Sequence, residues 1–84
     1  MKIKGIEIPE SSQAHIVAFM KSEPTFTAFK VTSELARHLG VSRSDELAYR
    51  GADRLIQRER RAGNIGPSDP SRSRSAYWKW IGTK

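Results

Sequence analysis

Apolar residues along the 84-residue chain change their spacing several times, and each change marks an element boundary. In KIKGIEIP, Ile6 and Ile8 alternate with polar residues and Pro9 closes the run, which predicts a short edge strand. Ser11 or Ser12 then caps a helix running through Gln13 to about Lys21. Ile16, Val17, Phe19 and Met20 supply its apolar surface, and Pro24 blocks continuation. The stretch TFTAFKV is β-branched and aromatic, with Phe29 and Val31 spaced to face one way. It predicts a second short strand that leads to a cap at Thr32 or Ser33.

In ELARHLGVSRSDE, residues 34–46, helical spacing stops at a glycine and restarts within a few positions. Gly40 can take the left-handed conformation that ends a helix, and Ser42 with Asp45 three positions on has the form of a capping box. Two helices therefore meet at a sharp corner. The helix before it spans Ser33 to Leu39, with Leu35, Ala36 and Leu39 on one side and Val41 closing the turn. Small Ala36 lets another helix approach closely.

The helix after the corner is the long one, predicted from about Arg43 to Ala62 and readable as a wheel at 100° per residue. With Arg43 at zero, Arg50, Arg54, Arg58 and Arg61 all fall within roughly 60° of it. Ala48, Ala52, Leu55, Ile56 and Ala62 gather on the other side. One face suits a core and the other suits anions. Two residues break the division: Leu47 falls near the basic stripe, where it touches a thymine methyl, marks a first turn oriented differently, or packs on a neighbouring loop. Glu59 falls on the apolar side, where it reaches the core edge or pairs with an arginine.

Gly63 ends this helix. Asn64-Ile65 begins a strand, GPSDPSRSRS is a polar run rich in Pro, Ser and Arg, and AYWKWIG alternates aromatic and polar residues. Together they predict a hairpin with a long polar tip that solvent or a partner must hold. Trp78 and Trp80 share one face of its last strand, with Tyr77 and Ile81 on the other. The tryptophans complete a core short of large apolar residues, form a dimer contact, or stack on unpaired bases.

Length and composition bound the rest. The chain is one domain's worth, 1–84, with 37% hydrophobic and 29% charged residues, as expected of a small folded domain. It has no cysteine, which excludes disulfides and thiolate ligands. Neither a membrane-length apolar run nor a signal-peptide pattern is visible, so a cytoplasmic protein is expected. Charge says more by position than by total. Residues 1–36 carry four Lys against four Glu, whereas residues 37–84 carry eleven Lys and Arg against five Asp and Glu, so the net +6 lies there. Nine of those eleven are arginine, whose planar fork suits phosphates and guanine edges. The skew points to a polyanionic partner.

Catalysis has little to stand on. The sequence shows no Gly-rich phosphate loop, no paired carboxylates with a pocket, and no His with a nucleophile and orienting acid at readable spacing. No enzymatic activity, cofactor or small-molecule substrate is expected. His15 and His38 lie far apart, without acidic partners at ligand spacing, which predicts ordinary polar residues and no metal site.

A first helix, a short strand, the pair VTSELARHLGVSRSDELAYRGADRL, a terminal RRAGNI and a hairpin ending AYWKWI together resemble the winged helix-turn-helix family of DNA-binding domains. The resemblance covers roughly residues 11–82, and its most specific part is L-A-x-x-L-G-V-S at Leu35 to Ser42. Glu59 stands where an apolar residue is usual, and KIKGIEIP is an extra N-terminal piece. The resemblance implies an α+β fold of three helices with a small C-terminal hairpin or wing, to which the KIKGIEIP pattern adds a short N-terminal strand. It places the helix after the corner in the major groove and the wing on the backbone or minor groove.

Carried over residue by residue, it sets Arg43, Ser44, Glu46, Tyr49 and Arg50 against base edges, since Arg pairs bidentately with guanine and Glu accepts from cytosine. Arg54 and Arg58 would meet phosphate. Arg72 and Arg74 in the wing would reach phosphates or a narrow minor groove, and Ser33 and Arg37 would fix the backbone from the other side. The function implied is sequence-specific binding of double-stranded DNA by a small transcriptional regulator or a phage- or plasmid-type accessory factor. A competing class keeps the fold as a protein-interaction or RNA-binding assembly module. A homodimer is open, and would have to use the first helix, the N-terminal strand or the tryptophans.

Overall fold

The computed structural model describes residues 1–68 and 77–82. Its elements are β1 (Lys2–Ile3), β2 (Ile6–Glu7), α1 (Glu10–Ser22), α2 (Ala28–Leu39), α3 (Glu46–Arg61), β3 (Ile65–Pro67) and β4 (Trp78–Trp80). The architecture is α+β, with three helices and two antiparallel two-stranded sheets, β1–β2 and β3–β4.

The N-terminal segment is a hairpin where one strand was expected. Lys2 pairs with Glu7 and Ile3 with Ile6, across a two-residue turn in which Lys4 (φ 51°) and Gly5 (φ 78°) are both left-handed. Because the chain reverses there, Ile3 and Ile8 are the buried pair and Ile6 is exposed. The Ile6/Ile8 alternation misled because Ile8 lies past the strand, where its N–H donates to the Met1 carbonyl at 2.8 Å. Helix α1 opens earlier than its serines suggested. Pro9 is the N-cap, and its carbonyl accepts from the Ser12 and Gln13 amides, each at 3.1 Å. Ser12 is buried within the helix and does not cap it.

TFTAFKV is not a strand. Thr27 Oγ1 accepts from the Lys30 amide at 3.1 Å and caps α2, so Thr32 and Ser33 lie inside the helix. A cap so placed outweighs the β preference of the aromatic and branched residues, which depends on a neighbouring strand. Val31 faces the core and Phe29 faces solvent. Phe26 alone is strand-like: it exchanges two backbone bonds with Trp78, at 2.8 and 2.7 Å, beside β4.

The corner forms at the expected glycine. Gly40 is left-handed at φ 72°, and the Val41 amide reaches back to the Ala36 carbonyl at 3.0 Å. The far cap is Asp45, whose side chain accepts from the Leu47 amide at 2.8 Å. Ser42 instead accepts from the Ser44 amide at 3.2 Å, so α3 starts at Glu46 and Arg43 and Ser44 lie in the turn. Gly63 ends α3 at φ 78°, with the Asn64 amide on the Glu59 carbonyl at 2.9 Å.

Ile16 and Met20 of α1, Phe26, Val31 and Leu35, Ala52, Leu55 and Ile56 of α3, and Ile65 of β3 form one core, against which Trp78 and Trp80 pack half-buried. The tryptophans thus complete the core. The N-terminal hairpin is seated on α3 as well. At buried Gly51 a methyl group would lie 3.0 Å from Leu35 and 3.4 Å from Ile8, so only glycine leaves both side chains undisturbed. Among the described residues no helix is long and apolar enough to cross a membrane.

Candidate nucleic-acid interface

Helix α3 has two faces because its sequence has two. Ala48, Gly51, Ala52, Leu55 and Ile56 are buried, while Arg50, Arg54, Arg58 and Arg61 are exposed along the opposite flank. The cations expected on one side of this helix are on one side. Arg43 joins them from the turn: it is exposed, with its guanidinium 5.0 Å above the Phe29 ring. Tyr49 is exposed beside them, and Ser44 is exposed with its hydroxyl 2.9 Å from that of Ser42.

Two hollows run along this flank. A groove of about 600 Å³ is lined by Tyr49, Arg50, Asp53 and Arg54 of α3, by Phe29 and Thr32 of α2, and by Ile3 and Lys4 of the hairpin. A second, about 540 Å³, is lined by Asp53, Arg54, Gln57, Arg58 and Arg61 with Met1. Arg54 borders both. Arg54 and Arg61 have no hydrogen-bond or ion-pair partner among the described residues, so their charge is available to a ligand. Leu47 is half-buried and lines a smaller hollow together with Ile3 and Ile6 of the hairpin.

Other expected residues are already engaged. Glu46 Oε2 lies 2.6 Å from Lys4 Nζ and 3.4 Å from Arg50 Nε. The Lys4 ammonium, aided by the Arg50 charge, holds the Glu46 carboxyl below its ordinary range. Arg58 donates to Gln13 Oε1 at 2.8 Å and to Glu59 Oε2 at 2.9 Å, which ties it to α1 and to its own neighbour. Glu59 is buried, and its other oxygen accepts from Asn64 at 2.9 Å. Both readings of Glu59 therefore hold: it sits at the core edge, pairs with an arginine, and also pins the residue after the helix.

On α2, Arg37 donates to Glu34 through Nη2 at 2.6 Å and Nε at 3.3 Å. Glu34 also meets His15 Nε2 at 2.7 Å, His15 stacks on His38 with centroids 4.5 Å apart, and His38 Nδ1 lies 2.9 Å from Ser12 Oγ. The two histidines are thus not isolated, as their sequence positions suggested, because packing of α1 on α2 brings distant turns together. Among the described residues no group of three or more His, Asp or Glu side chains could hold a metal ion. Ser33 Oγ is buried without a hydrogen-bond partner among the described residues. Arg72 and Arg74 lie outside the described residues.

Sequence reasoning missed Lys4, Phe29 and Asp53. For Lys4 a signal existed, since Lys-Gly between Ile3 and Ile6 can be read as a hairpin turn. Comparison with family models, curated proteins and solved structures finds no match to this chain.

Proposed function

We propose that this chain is a winged helix-turn-helix module that binds double-stranded DNA in a sequence-specific way, as a small transcriptional regulator or an accessory factor of a phage or plasmid. The observation that carries the reading is the arginine flank of α3, exposed while the other side of the helix is buried. A helix of this diameter fits the major groove, and arginine reads guanine there bidentately or meets phosphate. On this reading Arg43, Tyr49 and Arg50 face base edges. Arg54 and Arg61 meet phosphate, as do Arg72 and Arg74 in the run between β3 and β4, whereas Ser33, with its hydroxyl buried, and Arg37, held by Glu34, are left out of the contact.

Selection of bound duplexes from a random pool tests this directly. Enrichment of one sequence, with affinity falling steeply in salt at about −0.9 in the log–log slope per phosphate contact, is the expected result. In that assay Arg50→Ala should change which sequences are enriched, whereas Arg74→Ala should weaken all of them alike. A chain that binds duplex no better than any acidic polymer, and enriches nothing, is instead an assembly module for acidic protein or structured RNA.

A further inference from the structure

The N-terminal hairpin has features that its role as a packing element does not require. In a two-residue turn with both central positions left-handed, Asn, Asp or Gly is favoured, yet the first position is Lys4 at φ 51°. A lysine held in that conformation invites a functional explanation. The turn is also rigidly placed, because Ile3 and Ile8 on either side of it are buried. Its side chain is more than half exposed and reaches Glu46 in the first turn of α3, 2.6 Å away, on the same oxygen that Arg50 approaches at 3.4 Å. Two cations share one carboxylate, and Arg43 offsets the capping Asp45, so one positive charge remains in excess at the end of the helix that would face bases. An ammonium carries three donors, so Lys4 can hold Glu46 and still donate to a phosphate. Lys4 and Arg50 moreover line one groove with Arg54.

We propose that the hairpin is a second DNA-contacting arm, in which Lys4 binds a backbone phosphate beside the segment read by α3, and that Glu46 is a positioning residue aiming Lys4 and Arg50 together at the duplex. The proposal rests on the DNA-binding reading above and extends it to a segment outside the helix-turn-helix. The phosphate contact adds affinity without sequence information, while the shared carboxylate, 3.4 Å from Arg50 Nε, keeps the guanidinium at the end of the helix that would face bases.

The test uses the full chain and a mixed-sequence duplex. Lys4→Asn removes the charge but suits the left-handed turn, and Lys4→Arg keeps the charge. The slope of log affinity against log salt should become shallower by about 0.9 in Lys4→Asn and return to its original value in Lys4→Arg. A Lys4 that only staples the hairpin to α3 leaves the slope unchanged in both, and that result overturns the arm. For Glu46, the readout is the ratio of affinities for a selected duplex and the mixed one. Glu46→Gln removes a negative charge near DNA, so non-specific affinity should rise while the ratio falls several-fold. A Glu46 that merely repels phosphate raises both affinities equally, and an unchanged ratio overturns its positioning role. If the unaltered chain shows no salt-dependent duplex binding, the function proposed above fails and the arm with it. A steep slope unaffected by Lys4→Asn removes the arm alone.

Discussion

Arg37 on α2 and Arg54 on α3 are both exposed arginines on amphipathic helices that flank one corner, yet their surroundings differ. Arg37 makes two hydrogen bonds to Glu34, which also holds His15, so its charge is matched inside the domain. Arg54 has no such partner among the described residues and borders both hollows on the α3 flank. The Glu34 cluster matches its arginine and joins α1 to α2, whereas Arg54 and Arg61 on α3 point outward without a partner among the described residues. Whether an arginine is matched inside the domain or left to a ligand is set by the fold, and a count of cations along the sequence cannot make that distinction.

The largest effect should come from the side of α3 that nobody outside the molecule sees. Leu55 is fully buried among residues of all three helices and β3. Leu55→Ala should cost about 2–5 kcal/mol, read from urea unfolding, because the cavity adds to the lost burial. For a domain this small, that is a large part of its stability, and duplex binding should fail with it. A loss well under about 1 kcal/mol would mean that the outward arginine flank does not depend on this packing.

Next in size is the direct comparison of the two arginines. Arg54→Ala should leave stability within about 0.5 kcal/mol of the original and make the salt slope of duplex binding shallower by about 0.9. Arg37→Ala should change that slope less, since Glu34 already neutralises the side chain it removes. Equal slope changes would erase the contrast between α2 and α3. They would also show that the Glu34 pair opens when DNA arrives.

What could be read from the sequence follows the range of the interactions involved. Both glycine corners were legible because Gly40 and Gly63 act on the turns directly beside them, and the two faces of α3 were legible because helical periodicity is local. The strand assigned to TFTAFKV failed because a single cap at Thr27 decided the matter, and nothing in a short aromatic run shows whether a sheet will receive it. The Glu34–His15–His38–Ser12 chain was illegible because its members lie on two helices that only packing brings together. Lys4 lay between: its turn chemistry is local, but its contact with Glu46 spans half the chain.

The smallest effect lies on the matched side, and its direction with pH follows from the pair itself. The Arg37 guanidinium first, and His15 second, hold the Glu34 carboxyl below its ordinary value of 4.5. A carboxyl depressed in the folded state binds its proton less readily than in the unfolded chain, so its contribution is complete above the unfolded value. That contribution disappears as pH falls through the lower, folded one. Stability should therefore decline from about pH 4.5 downward, with Glu46 titrating in the same direction through its contact with Lys4. Glu34→Gln should flatten part of that acid limb and change stability at pH 7 only slightly, because the side chains are near solvent and the pair is screened. Urea midpoints measured from pH 7 to pH 3 give the comparison: an acid limb identical in the variant would mean that Glu34 is not the group matching Arg37. The charge balance of α2 would then need another source, whereas a flattened limb with unchanged duplex affinity places this cluster on the structural side of the molecule.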